Sequence, residues 1–322
     1  MVERGYDLHG VRLGLSLDGV GERASAALLS RLAQMPSDGQ PPHDLAFELR
    51  SGAAHPFSLP EGARTVYEPP VGRVVYADGD DLLYLETGPR VRVLSEPSNG
   101  RTRVSVLGED EEDLWLLSHP LFTIPLMEML KRRGLYGLHA GGLARNGRAL
   151  LLPGTSGAGK STLTLALARA GFGLLGDDTL FLARRAEGDL RVLAFPDEFD
   201  LTDRTVSFFP ELAALLEAPL PAGWRKRQLR AEEVYGTAIV WEAEPALLVF
   251  PRVSGARESV LTPLSKEEAL LELVPNVLLT EPRSSQAHLD ALADLAAGCA
   301  CYRLETGSDL DGAVRLLGDL LP

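Results

Sequence analysis

Gly154-Thr155-Ser156-Gly157-Ala158-Gly159-Lys160-Ser161 fits the pattern G-x-x-x-x-G-K-[ST], and its flanks supply the setting that the pattern needs. Before it, Arg148-Ala149-Leu150-Leu151-Leu152 predicts a buried strand. After it, Thr162-Leu163-Thr164-Leu165-Ala166-Leu167-Ala168-Arg169-Ala170 predicts a helix stopped by Gly171. Glycines let the backbone wrap closely and aim successive N–H groups at phosphate oxygens, and the helix start adds its positive dipole end. Residues 154–162, with Thr162 as the last, are therefore expected to cradle a nucleotide's phosphates. Lys160 is expected to bridge the β- and γ-phosphates and the Ser161 hydroxyl to ligate Mg²⁺. The chain holds only four lysines, Lys131, Lys160, Lys226 and Lys266, among 32 basic residues, so a lysine at this place in the pattern is informative.

Two features flank the loop. Downstream, Leu174-Leu175-Gly176-Asp177-Asp178-Thr179-Leu180-Phe181-Leu182 predicts a strand with two adjacent acids inside it. Neighbouring strand residues point to opposite faces, so at least one carboxyl is buried unless the sheet is open on both sides. One Asp suits a magnesium shell. Its neighbour suits proton abstraction from an acceptor hydroxyl, with a pKa raised by the adjacent acid. A strand-start Asp capping a turn is the plainer alternative. Upstream, Arg145-Asn146-Gly147-Arg148 predicts a two-residue hairpin turn. Counting back from it pairs Arg145 with Arg148, Ala144 with Ala149, and finally His139 with Gly154. That register sets His139 beside the phosphate loop, where it would relay a proton, touch phosphate, or serve structure alone.

Composition bounds the rest. The chain of 322 residues is 45% hydrophobic and 24% charged, the profile of a protein with a core and with room for two domains. Its net charge of −13 repels phosphate backbones and argues against nucleic-acid partners. Cys299 and Cys301 have no third cysteine to pair with and read as reduced thiols. No apolar run approaches the ~20 residues that span a bilayer, and residues 1–30 do not read as a signal peptide. A cytoplasmic protein without membrane partners is expected.

Two parts are expected along the chain. Residues 1–118 predict a smaller, strand-rich α+β domain, with strands at 9–17, 45–49, 82–86, 91–95 and 102–107 and a helix over 22–35. Acceptor recognition or oligomer contacts are its expected tasks. The acidic run 109–113 predicts a solvated loop. Residues 119–322 predict an α/β domain. It opens on a helix over 120–133 whose Lys131-Arg132-Arg133 suits the negative end of the helix dipole. It closes on helices over 266–274, 284–297 and 310–321 with a strand at 302–305. Residues 224–230, Trp224-Arg225-Lys226-Arg227-Gln228-Leu229-Arg230, hold four cations and read either as a solvated loop or as a lid over the phosphates.

Taken in order, Leu138-His139-Ala140 with its Asn-Gly turn, residues 154–161, and Gly176-Asp177-Asp178 resemble the HPr serine kinase/phosphorylase family, above all its bacterial HPr-kinase-related members. The resemblance covers roughly 134–275. It implies a P-loop kinase domain of the HPr kinase/phosphoenolpyruvate carboxykinase-like type, preceded by the smaller domain. It implies ATP and Mg²⁺ as cofactors, homo-oligomeric assembly, and a serine on a peptide or protein as the acceptor. By the same resemblance Lys160 and Ser161 bind phosphates and metal, Asp177 is the general base, Asp178 supports the metal, and His139 sits in the active site. The Glu-x-Arg-Gly segment of the HPr kinases is absent. The region in its place is 196–204, where Glu198 or Asp200 would fill the metal role and Arg204 the phosphate role. Thr162 stands where those enzymes favour an acid. A kinase for a small metabolite such as free serine, and a nucleotide-binding regulator without phosphoryl transfer, are the competing functions. Neither a guanine-reading Asn-Lys-x-Asp nor a transporter Leu-Ser-Gly-Gly segment is present.

Overall fold

The computed structural model describes residues 2–37, 42–52, 59, 61–68, 72–79, 81–87, 91–106, 111–220, 224 and 226–321. The chain divides into two compact units. One is Met1–Leu135 with Pro221–Trp224 and Leu278–Ser285; the other is Tyr136–Leu220 with Arg225–Val277 and Gln286–Pro322. The break therefore falls later than residue 118, and the helix at Pro120–Lys131 groups with the first unit.

The first unit is built on an eight-stranded sheet: β1 (Val2–Leu8), β2 (Val11–Asp18), β3 (Leu45–Ser51), β4 (Arg64–Tyr67), β5 (Arg73–Ala77), β6 (Leu82–Thr87), β7 (Val91–Glu96) and β8 (Arg101–Val106), in the order β1-β2-β3-β8-β7-β6-β5-β4. Helix α1 (Glu22–Arg31) connects β2 to the parallel β3, and α2 (Glu111–Ser118) and α3 (Pro120–Lys131) follow the sheet. Alternation fixes the register. Leu13, Leu15 and Leu17 on β2 and Leu45, Phe47 and Leu49 on β3 are all buried. Each contributes roughly 1.5–3 kcal/mol that a one-residue slip would forfeit. Phe47 meets Phe122 of α3 edge to face at 4.9 Å. Strand β1, not expected from the sequence, pairs with β2 through a turn whose His9 and Gly10 have φ of 57° and 90°, as a tight hairpin requires. The acidic run meets α2 at Glu111; residues 109 and 110 lie outside the described residues.

The cations at the end of α3 do more than face a dipole. Lys131 Nζ lies 2.7 Å from Glu128 Oε1 and donates to the Leu278 carbonyl at 3.0 Å. Arg132 donates to Glu128 at 2.9 Å and to both Asp81 oxygens, at 3.2 and 2.5 Å. The Tyr76 hydroxyl and the Ser98 N–H also donate to Asp81, at 2.8 and 3.0 Å, and the Thr280 hydroxyl donates to Glu128. Glu128, Lys131 and Arg132 are all buried, and the charges are mutually satisfied.

The second unit contains β9 (Tyr136–Arg145), β10 (Arg148–Pro153), α4 (Lys160–Arg169), β11 (Gly173–Gly176), β12 (Thr179–Arg184), β13 (Leu190–Ala194) and β14 (Phe199–Leu201). The short helices α5 (Asp203–Val206), α6 (Ala213–Glu217) and α7 (Ala231–Tyr235) surround β15 (Arg227–Leu229), which pairs with β14. Then come β16 (Glu242–Val253), β17 (Val260–Pro263), α8 (Lys266–Leu273), a 3₁₀ turn (Val274–Asn276), α9 (Pro282–Gly298), β18 (Ala300–Thr306) and α10 (Leu310–Leu320). The main sheet runs β10-β9-β12-β13-β16-β18-β17, with β11 on β9 and β10 also parallel to β16. It is mixed, and both faces are covered. Leu150, Leu152, Leu247 and Val249 pack with Leu163 and Leu167 of α4 and Leu317 of α10. Ala149, Leu151, Leu248 and Phe250 pack with Leu273 of α8 and with Leu292 and Leu295 of α9. Burial on both sides explains the unbroken apolar runs at 149–152 and 246–250. Helix α4 lies close over β9: a Cβ on Gly141 would stand 2.2 Å from the Thr164 hydroxyl. Among the described residues, no helix is long and apolar enough to cross a membrane.

Candidate functional site

The β9–β10 hairpin delivers the phosphate loop. Asn146 and Gly147 take φ of 52° and 77°, and the pairing runs without a bulge from Arg145–Arg148 to Ala140–Pro153. Past that point His139 faces Thr179 of β12, so its strand links the loop's entry to the double Asp.

The loop is folded over its own lysine. Gly157 and Gly159 have φ of 84° and 99°, which disfavours a side chain at either position. Thr155, Ser156 and Gly157 are exposed at the rim, while Ala158 and Gly159 are half-buried, and Ala158 N–H closes a turn onto the Thr155 carbonyl at 3.2 Å. Lys160, buried at the start of α4, donates to the Gly154 carbonyl at 2.7 Å and the Thr155 carbonyl at 3.3 Å. Burial lowers its pKa, the charges of Asp178 and Asp177 oppose that, and Lys226 reinforces it. Thr162 turns aside: its hydroxyl meets that of Thr205 at 3.2 Å.

The two acids do not lie inside one strand. The apolar run breaks at Gly176, where a Cβ would stand 2.8 Å from the Phe195 carbonyl and 2.9 Å from that of Thr179. The chain leaves β11, bends through Asp177 and Asp178, and resumes as β12. The bend sends the acids into different surroundings. Asp177 is 3% exposed, and its Oδ1 has no hydrogen-bond partner among the described residues. Burial pushes its pKa up to about 8, and the charges of Asp178 and Asp200 add to this; a hydrogen bond from Ser161 and the charge of Lys160 oppose it. Asp178 has a side chain that is 60% exposed, with Oδ1 3.2 Å from His139 Nδ1. The same ring nitrogen lies 3.0 Å from the Asp178 carbonyl. Ser161 is thus beside Asp177, while His139 is beside Asp178.

An orphaned, buried carboxyl oxygen next to a helix-start hydroxyl fits a hard cation. Among the described residues, no three His, Cys, Asp or Glu side chains converge to hold a metal by themselves. Mg²⁺ does not need such a cage, because it commonly takes one or two protein oxygens and completes its shell with phosphate and water.

Three contributors were illegible or only half legible in the sequence. Asp200 sits on β14, and its charge reaches Asp177. Lys226 precedes β15, and its charge reaches Lys160. Asn276 accepts the Gly154 N–H at 3.1 Å from 122 residues away, and no local pattern announces it. Of the cations at 224–230, Arg227 is held by Asp203 at 2.7 Å and by the Ala218 carbonyl at 2.7 Å, and Arg230 by Glu198 at 3.1 Å. Residues 221–223 and Arg225 of the expected lid lie outside the described residues. Glu198 is thereby committed to Arg230, and Arg204 is exposed on α5.

No protein-family model matches this chain. No curated protein matches it either. Among solved structures, that of the Hpr(Ser) kinase/phosphatase from Coxiella burnetii is similar over 57% of this chain and 96% of that one, at 14% identity and a TM-score of 0.29. A likeness that loose carries no argument about activity.

Proposed function

We propose that this chain is an ATP- and Mg²⁺-dependent kinase that transfers the γ-phosphoryl group to a hydroxyl, a serine of a peptide or protein. The observation that carries this is the parting of two adjacent carboxyls beside a lysine-bearing phosphate loop. One is sealed against Ser161, and the other is open to solvent against His139. The loop amides and the start of α4 would receive the triphosphate. Lys160 would exchange the carbonyls of Gly154 and Thr155 for phosphate oxygens. Mg²⁺, when bound, neutralises charge on the β- and γ-phosphates, and Ser161 with Asp177 would hold it. Asp178 would take the acceptor's proton, because it is the carboxyl an acceptor can reach and His139 orients it. These are the roles of the pair exchanged from those that the family resemblance implies. The acceptor oxygen forms a bond to the γ-phosphorus, the bond to the β,γ-bridging oxygen breaks, and the acceptor proton passes to Asp178. Acceptor recognition would fall to residues 1–118.

Labelled ATP with serine-containing peptides tests this. The parent protein should transfer label, and Asp178→Asn should slow transfer by roughly 10²–10⁴-fold while holding ATP within a few-fold of parent affinity. An Asp178→Asn protein as fast as the parent sinks the assignment. Label on free serine but on no peptide would make it a metabolite kinase, and ATP binding without transfer would make it a nucleotide-dependent regulator.

A further inference from the structure

We infer that Asn276 is a positioning residue that presets the entry of the phosphate loop, an inference that rests on the nucleotide-binding function proposed above. Asn276 ends the 3₁₀ turn after α8 and is buried. Its Nδ2 donates to the Glu272 carbonyl at 2.8 Å and to the Leu273 carbonyl at 3.3 Å. Its Oδ1 accepts the Gly154 N–H at 3.1 Å. Only one orientation of the amide satisfies these partners, since turning it over would oppose oxygen to two carbonyls and NH₂ to an N–H. Gly154 is consequently gripped from both ends: Asn276 holds its N–H, and Lys160 holds its carbonyl at 2.7 Å.

The two grips differ in what binding does to them. Lys160 must release the Gly154 carbonyl to reach a phosphate, whereas the bond from the Gly154 N–H to Asn276 stays in place. A glycine without such a restraint samples a wide φ/ψ range, and fixing it costs conformational entropy. With Asn276 present that cost is met in folding. Without it the cost falls on the binding step, an effect of about tenfold in affinity. Asn276 touches no phosphate in this scheme, because its carbonyl oxygen is already committed to the loop's first N–H.

Calorimetric titration of Mg-ATP into the full chain provides the test, with Leu273→Ala as the control for packing. Leu273 is buried in the same segment, and the substitution leaves its backbone carbonyl in place. Asn276→Ala should weaken Mg-ATP about tenfold, whereas Leu273→Ala should lower the melting temperature and leave the affinity of the folded protein unchanged. Equal affinity of Asn276→Ala and parent overturns the inference. So does an affinity loss in Leu273→Ala as large as that in Asn276→Ala. Hydrogen exchange on the parent gives a reading that needs no variant: the Gly154 amide should be protected before nucleotide is added, and rapid exchange there also overturns the inference. If the parent binds Mg-ATP and Lys160→Ala does not, the proposed function stands whatever Asn276→Ala does. If the parent binds none, both fall together.

Discussion

Each unit buries a group of charges, and the two groups are built to opposite rules. Around Glu128, Lys131, Arg132 and Asp81, every charge meets its opposite, and hydroxyls and carbonyls complete the bonding. Around Lys160 and Asp177, the lysine leans on carbonyls of its own loop, one carboxyl oxygen has no partner among the described residues, and the further charges that reach them are another lysine and two more acids. A saturated cluster has nothing left to offer a ligand, and it locks the chain around it. An unsaturated one is costly to fold and makes sense only if something arrives to complete it. The difference separates structural charge from functional charge without appeal to relatives.

Three substitutions would break or sharpen that contrast. The largest effect is expected for Arg132→Ala, which takes the arginine from Asp81 and one of two cations from Glu128. It should cost about 3–5 kcal/mol in urea unfolding of the first unit while Mg-ATP affinity of the folded protein is kept. A loss under about 1 kcal/mol would mean that the network is not what holds that region. Next comes Lys160→Met. It should weaken Mg-ATP about a hundredfold, equivalent to about 2.7 kcal/mol, yet move the melting temperature little, because the lysine's present partners are loop carbonyls. The third effect, that of Asp177→Asn on stability, changes in size with pH. A carboxyl raised to about 8 in the folded protein binds its proton more tightly there than in the unfolded chain. That stabilisation is complete below the unfolded value near 4 and is lost as pH rises through about 8. Asn cannot ionise, so Asp177→Asn should melt with the parent at pH 4 and clearly above it at pH 9. Melting curves that coincide at both pH values would show that Asp177 is not held in its neutral form.

Local chemistry made much of this legible. The Asn-Gly turn set the register of β9 and β10 to the residue, and the glycine pattern with its flanks placed the loop and α4. The last three helices lie where the apolar spacing set them, within two residues at either end. Failures came where a residue's meaning depends on something distant. Val2–Leu8 was missed because Glu3, Arg4 and Asp7 conceal a strand at the end of the sheet order. Arg64–Tyr67 and Arg73–Ala77 are four- and five-residue strands, too short for a periodic signal. The double Asp looked like strand because the run is apolar on both sides; Gly176 was the sign of a break, but the carbonyls that exclude a side chain there come from Phe195 and Thr179. Lys131 and Arg132 looked like a helix-end dipole match because their partners, Asp81, Leu278 and Thr280, are about 50 to 150 residues away.

Gly141 shows what that distance dependence means for the candidate site. It lies under α4, where an added Cβ would also stand 3.4 Å from the Asp177 carbonyl, and the missing side chain is what lets the Thr164 hydroxyl settle onto β9. Even one added methyl group would press on Thr164 of the helix that carries Lys160 and Ser161 at its tip. The reach of both groups is therefore tied to the strand beneath the helix. Evolution can retune this centre, or ruin it, through a position that has no chemical group of its own to contribute.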